Sequence, residues 1–412
     1  MTKKSLKKKI AAFISAGVLG VTALFTAAPA PVAEASLLEA IIGVGVQAAA
    51  VNQQLNYLNN DGRQEMYQSM QGEYGVYEDA EINAMLDRIM DNLSRGIAEI
   101  DPSINDKPYN YFVNQDTSFN AFCTVGHNLS VNVGLFSLLT YEDEVAVVLA
   151  HEMGHGQKEH VVKGFRKSIP VAIGSAVLAE STGGLGGAVL GAVLNNQLMA
   201  RSITKPQEWE ADNLAFDYIC RTSYNPGACA AVWQRVAEKM ASGGRDNFVG
   251  EIFSPADHPT NEQRRDNYAK KLTELSCNHI TVADGTITVN GKNFLVCADD
   301  AANDVSAAER SFLVAGRLAR LYENTDAEKL KKEQKKKKKK KNDEEDGEYK
   351  PRKFSLGSNK EKAAADGPAV RPLPQQAYAE DGNLYVDGSY ILHELDGEPS
   401  AAELASLFNS LK

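Results

Sequence analysis

Cysteine is scarce in this sequence, five in 412 residues, and no two of the five sit at C-x-x-C spacing. Zinc sites built from paired thiolates are thereby excluded. An excess of basic residues is also absent. Lys and Arg number 44 against 54 Asp and Glu, a formal net charge of −10, which argues against nucleic acid as a partner. Beyond the N-terminus there is no clean apolar run of bilayer-spanning length. Residues 169–200 are apolar and glycine-rich but are interrupted by Glu180, so they read as a helical hairpin covering a cleft and not as a membrane span. A loose membrane contact there stays open. Apolar residues as such are plentiful: at 43% hydrophobic and 24% charged the chain can bury a core, and global disorder is excluded.

The first thirty-five residues form their own segment. Five lysines between Lys3 and Lys9 precede an apolar stretch from Ile10 to about Ala28, then Pro29, Pro31 and Ala33-Glu34-Ala35 before Ser36. This is the layout of a cleaved signal peptide, with a retained anchor as the alternative. Its removal takes the formal charge to −14, since it holds five lysines and Glu34. No cysteine lies in this region, so lipid anchoring at the new N-terminus is not available. The expected location is the periplasm or another extracytoplasmic part of the envelope. In an oxidising compartment Cys220, Cys229, Cys277 and Cys297 could form two disulfides in any of three connectivities, leaving Cys123 over.

After residues 1–35, residues 36–275 read as the main domain. Ile82, Met85, Leu86, Ile89 and Met90 recur at helical spacing, and a mixed helix and strand pattern begins at Tyr109. Residues 276–323 read as a hairpin around Asn290-Gly291 followed by a short helix. Residues 324–375 change composition abruptly. Lys335 to Lys341 is unbroken lysine, followed by acidic residues and a Pro, Ala and Gly-rich stretch, so the segment reads as a solvated tether. Residues 376–412 form a small C-terminal hairpin and helix element. The stretch from Asp284 to Gly291 recurs from Asp381 to Gly388, which predicts two similar hairpins that pair with each other or leave the second docked on the body.

The chemistry concentrates in Val147-Val148-Leu149-Ala150-His151-Glu152-Met153-Gly154-His155. In a helix, His151 and His155 lie one turn apart on one face, where two imidazoles can hold one metal. Glu152 is rotated to the side, where a carboxylate can take a proton from metal-activated water. Thr140 with Asp143 predicts a capping box at the start of this helix. A second motif, Pro206-Gln207-Glu208-Trp209-Glu210-Ala211-Asp212, again reads as a helix, with Glu208 and Asp212 on one face. A catalytic zinc site with two histidines needs one more protein ligand, which Glu208 would supply. Asp212 would then accept the other ring N–H of a ligand histidine. Glu210 points elsewhere on the helix and reads as solvated.

Taken together these residues resemble the zinc metallopeptidases that include the HtpX heat-shock protease, the CaaX prenyl endopeptidase and the periplasmic protease BepA. Asn120-Ala121-Phe122 and Val131-Asn132-Val133-Gly134-Leu135 are similar to the family's strand pair before the metal helix, and His160 falls where members often have histidine. Glu208-Trp209-Glu210-Ala211-Asp212 resembles Glu-x-x-Ala-Asp, Tyr224-Asn225-Pro226 the turn that follows, and Asp257-His258-Pro259 with Arg264 the C-terminal boundary. The resemblance covers about residues 75–272. Ser223 stands where the family often has glycine. The resemblance implies a mostly helical α+β fold of zincin type, with a small edge sheet beside the metal cleft and the C-terminal β-hairpins added. It implies that Asn120, Ala121 and Phe122 hold substrate as an added strand. It also implies a role for His258, in stabilising the tetrahedral intermediate or in reaching the metal as a fourth ligand, with a plain packing histidine as the alternative. Arg264 is expected in a structural ion pair.

The expectation is therefore an exported metalloendopeptidase with one Zn2+ per chain, held by His151, His155 and Glu208, with Glu152 as general base. Its partners would be protein or peptide substrates, with peripheral membrane or envelope-protein contact open. The rivals are a non-proteolytic envelope chaperone or assembly factor that keeps the metal fold, and a structural zinc protein acting through its C-terminal hairpins.

Overall fold

The computed structural model describes residues 49–139, 141–167, 203–242, 259–326 and 369–411. The signal peptide, Thr140, the apolar stretch 169–200, His258 and the lysine run lie outside the described residues. The chain divides into two compact units, one of residues up to Tyr224 with Val232–Arg264, the other of Asn225–Ala231 with residues from Arg265 onward. Within the described residues the chain is a mostly helical α+β protein with three small three-stranded sheets.

In the first unit a helix over Ala80–Ala98 starts where the Asp79 carboxylate accepts the N–H groups of Glu81 and Ile82. It buries Leu86, Ile89, Met90, Leu93 and Ile97 at helical spacing. The sheet that follows has the order β1-β3-β2, with β1 (Asn110–Asn114) parallel to β3 (Asn128–Asn132) and β2 (Ala121–Thr124) antiparallel to it. Side-chain amides lock the parallel register: Asn110 donates to Asn128 at 2.8 Å and Asn114 to Asn132 at 2.7 Å. The β2–β3 turn places Gly126 and His127 at positive φ. Only glycine fits at Gly126, because a Cβ there would lie 2.9 Å from the Leu58 carbonyl oxygen. One apolar cluster of this unit gathers Leu55, Leu58, Met66, Met70, Phe112 and Val125.

The second unit repeats itself. Strands β4 (Ile280–Ala283), β5 (Thr286–Val289) and β6 (Lys292–Val296) form an antiparallel meander, followed by a helix over Ala307–Leu321. Strands β7 (Ala377–Glu380), β8 (Asn383–Val386) and β9 (Ser389–His393) form another, followed by a helix over Ala401–Ser410. Each tight turn uses an Asp-Gly or Asn-Gly pair at positive φ: 284–285, 290–291, 381–382 and 387–388. The central strand of each meander breaks register at the equivalent place, Ile287/Thr288 and Leu384/Tyr385. Both helices begin at a serine, Ser306 and Ser400, whose hydroxyl accepts the N–H of a glutamate three residues on. Each copy is thus a meander of three strands where the sequence pattern marks a single hairpin, because the first Asp-Gly turn adds a strand. The two sheets do not join as one. They share one apolar core, in which Ile287, Val289 and Leu318 meet Leu384, Val386 and Phe408. The chain on either side of the undescribed stretch returns to one point, since the Arg371 N–H donates to the Asn324 carbonyl at 2.9 Å. Asn225–Ala231 packs on the first helix of this unit, where a Cβ on Gly227 would lie 2.0 Å from the Phe312 carbonyl oxygen.

None of the five cysteines is joined in a disulfide, so the two bridges that the sequence allows are not formed. Geometry accounts for the Cys277–Cys297 pair: Cys277 precedes β4 and Cys297 follows β6, at opposite ends of the meander and two strands apart. Strands lie about 4.8 Å apart, so the Cα atoms are beyond the roughly 7 Å a disulfide can bridge. No described helix is long and apolar enough to cross a membrane.

Candidate metal centre

Two helices of the first unit build the site. The first, Glu142–Gln157, is buried from Glu144 to Gly156, so its whole circumference is apolar or engaged. It starts one residue later than Thr140 and Asp143 suggest. Tyr141 is the N-cap, and its N–H is accepted by Glu144 Oε2 at 3.1 Å. Glu142, Asp143 and Glu144 place negative charge at the positive end of the helix dipole. The second helix, Lys205–Ile219, begins at Thr204, whose N–H and hydroxyl both donate to Gln207 Oε1 at 2.9 Å. The two helices approach closely because Gly154 offers no side chain: a Cβ there would stand 3.3 Å from the Ala211 backbone.

That approach brings His151, His155 and Glu208 together, each at 3% exposure or less. The two Nε2 atoms are 3.0 Å apart, His151 Nε2 is 3.4 Å from Glu208 Oε2, and His155 Nε2 is 3.5 Å from Glu208 Oε1. All three donor atoms fall within 4.8 Å of one another. Bonds of about 2.0–2.1 Å at tetrahedral angles put neighbouring ligand atoms roughly 3.3 Å apart. The observed spacings match such an edge, and two nitrogens with one carboxylate are a donor set suited to zinc. The residues fit the metal.

Both histidines are held from behind. His151 Nδ1 lies 2.9 Å from Asp212 Oδ1. Asp212 is fully buried and bonded to Arg264, which donates from Nε at 2.9 Å and also from Nη2. The Arg264 guanidinium, 1% exposed, stacks 3.5 Å over the Trp233 ring. Burial pushes the Asp212 carboxyl up, but the charge of Arg264 and the bond to His151 outweigh it and hold it below the usual range. Burial and Arg264 both disfavour a proton on His151. The bonds from Asp212 and Glu208 overcome them and lift it to about 9 in the metal-free chain. Burial, with the charge of His151 second, keeps His155 well below its ordinary value and therefore neutral.

His155 is bound in turn by His160, Nδ1 to Nδ1 at 2.9 Å, and His160 Nε2 lies 3.1 Å from Glu210 Oε2. Glu159 makes this contact local. Its φ of 50° breaks the chain just after the helix, and a new helical stretch starts at His160. Glu210, assigned above to solvent alone, is 50% exposed yet ends this chain of bonds. Its position on the far helix gave no sign of a partner fifty residues upstream.

Glu152 is 5% exposed, and its Oε2 accepts the backbone N–H of Cys123 at 3.1 Å. Burial lifts the Glu152 carboxyl from 4.5 to about 7. Cys123 lies in β2, an outer strand of the sheet, so β2 borders the Glu142–Gln157 helix. Of the three residues read as a substrate strand, Ala121 is buried in β2, and Phe122 packs edge-on against Tyr74 with ring centroids 5.2 Å apart. Asn120 precedes the strand, its carbonyl accepting the Asn132 N–H at 3.0 Å.

Residues 80–271 match the sequence profile of peptidase family M48. The chain is similar to the metalloprotease LoiP of Escherichia coli, at 29% identity over 177 residues covering 42% of this chain and 66% of that relative. It is 26% identical over 146 residues to the beta-barrel assembly-enhancing protease of Escherichia coli, covering 34% of this chain and 30% of that protein. With the mitochondrial metalloendopeptidase OMA1 of Saccharomyces cerevisiae it shares 25% identity over 167 residues, 40% of this chain and 47% of the relative. The matched part therefore spans less than two thirds of each of these relatives. The profile match takes in both helices of the site and Arg264, so residues 80–271 carry a domain similar to those of peptidase family M48.

Proposed function

We propose that this chain is an exported, zinc-dependent metalloendopeptidase that hydrolyses peptide bonds of envelope or misfolded proteins. The observation that carries the reading is the convergence of His151, His155 and Glu208 beside a buried carboxylate on the same helix. Zinc, when bound, supplies a Lewis acid that polarises the scissile carbonyl and lowers the pKa of water toward about 7. The rest falls to the chain. Asp212 keeps the proton of His151 on Nδ1, so that Nε2 presents a lone pair. The Cys123 amide fixes one oxygen of Glu152, which leaves the other to take the proton of the attacking water and return it to the leaving amine. The carboxyl near 7 suits both halves of that transfer at neutral pH. Substrate is proposed to lie along β2 through Asn120, Ala121 and Phe122, and His258 to donate to the developing oxyanion. The signal-peptide pattern of residues 1–35 and the similarity to a bacterial beta-barrel assembly-enhancing protease support an extracytoplasmic site of action.

Elemental analysis of the purified chain tests the metal, and casein cleavage tests the chemistry. The expected result is about one zinc per chain, lost in Glu208→Ala, with cleavage that Glu152→Gln abolishes. Zinc retained in Glu208→Ala would remove Glu208 from the ligand set. A Glu152→Gln variant that rescues a deletion strain fully would favour the non-proteolytic assembly factor.

A further inference from the structure

The two ligand histidines are supported in different ways. His151 rests on a buried carboxylate, Asp212, locked by Arg264. His155 rests on another imidazole, and that imidazole on a half-exposed carboxylate. An imidazole paired with an imidazole has no fixed polarity, since either ring can donate. Which one does decides where the proton of His155 sits.

We infer that His160 and Glu210 act as positioning residues that fix the tautomer of His155 and keep its Nε2 lone pair turned to the metal. The inference rests on the ligand assignment proposed above. His155 Nε2 faces His151 and Glu208, so as a ligand it needs its proton on Nδ1. Nδ1 lies 2.9 Å from His160 Nδ1, which must then accept. The proton of His160 is left on Nε2, where Glu210 Oε2 accepts it at 3.1 Å. A carboxylate only accepts, so Glu210 sets the direction of the whole chain. Without it, His160 is free to carry its proton on Nδ1 and donate to His155. That would move the His155 proton to Nε2, where it blocks the metal. His160 is 1% exposed, so water has little room to replace either partner.

Zinc affinity by chelator competition on the full chain tests this, with melting of the metal-free proteins as a check on folding. Glu210→Ala and His160→Phe are expected to weaken zinc by about ten- to a hundredfold, and His160→Asn, whose amide oxygen can accept at the Nδ1 position, to stay within about threefold of the parent. In the His160→Asn background, removing Glu210 is expected to change nothing, because an asparagine needs no carboxylate to set its polarity. Long-range nitrogen NMR of the zinc-loaded parent is expected to show His155 protonated at Nδ1 and His160 at Nε2. Parental zinc affinity in Glu210→Ala overturns the inference, and so does a His160→Asn variant as weak as His160→Phe. Glu210 is half exposed, so its removal keeps the test alive if His160→Phe fails to fold. A parent that binds no zinc overturns the ligand assignment and this inference with it, a result distinct from a parent that binds and variants that are silent.

Discussion

The backbone N–H of Cys123 donates to Glu152 Oε2 at 3.1 Å, tying the edge strand of a sheet to the carboxylate proposed as base. That bond stabilises the charged form of Glu152, yet burial dominates and the carboxyl stands near 7.

A carboxyl raised in the folded state from 4.5 to about 7 costs stability once the unfolded chain can ionise it. The cost is absent below about pH 4.5, grows as pH rises, and is complete above about 7, where it reaches about 3 kcal/mol. The metal-free Glu152→Gln protein should match the parent in urea unfolding at pH 4 and exceed it at pH 8. The same substitution should lower peptide hydrolysis by about a hundredfold or more while zinc content holds.

Zinc uptake should release a proton. His151 in the metal-free chain titrates at about 9, so at pH 7.5 it must give up its proton to bind. Calorimetry in buffers of different ionisation enthalpy should report about one proton per zinc, and affinity should fall roughly tenfold per pH unit below 9. Affinity flat between pH 7 and 8 would contradict the shift.

Asp212 compensates a buried guanidinium. Its carboxyl is held low by Arg264, so its stabilising effect is present above about pH 4 and lost as pH falls through the depressed folded value. Asp212→Asn removes the buried carboxylate that Arg264 bonds from Nε and Nη2, which should cost about 3–5 kcal/mol in the metal-free protein. Adding Arg264→Leu should recover part of that loss. A double variant whose loss equals the sum of the Asp212→Asn and Arg264→Leu losses would show that the pair is not coupled.

The C-terminal meanders should unfold together. Ile287 and Leu384 are both fully buried in one core, and truncation of either to alanine should cost about 2–5 kcal/mol. Replacing residues 327–368 with a short Gly-Ser linker should leave that stability unchanged or slightly raised, because Asn324 and Arg371 already touch. Thermal melts of the three proteins decide both points.

Much of the site's geometry was legible because it is local. Helical periodicity alone stacks His151 over His155 and Glu208 over Asp212, and the glycine that lets the two helices meet stands inside the motif. What escaped was long-range or main-chain. Glu210 looked solvated since nothing in its own helix reveals His160, and the Cys123 amide carries no side-chain signal at all. The Asp-Gly and Asn-Gly turns announced the repeat, but only packing shows that the copies share a core. The cysteine pairing suggested by their number failed at Cys277 and Cys297 because strand order, which the sequence does not spell out, separates them.

The repeat also gives the chain a reference copy of itself. Inward positions agree in kind between the halves, Ile287 with Leu384 and Val289 with Val386. Outward ones diverge: Thr281, Thr288 and Asn293 pair across the first meander where Tyr378, Tyr385 and Tyr390 pair across the second. Exchanging the two rows would transplant a surface between scaffolds that already fold alike, and so would separate what the meander needs to exist from what distinguishes one copy from the other.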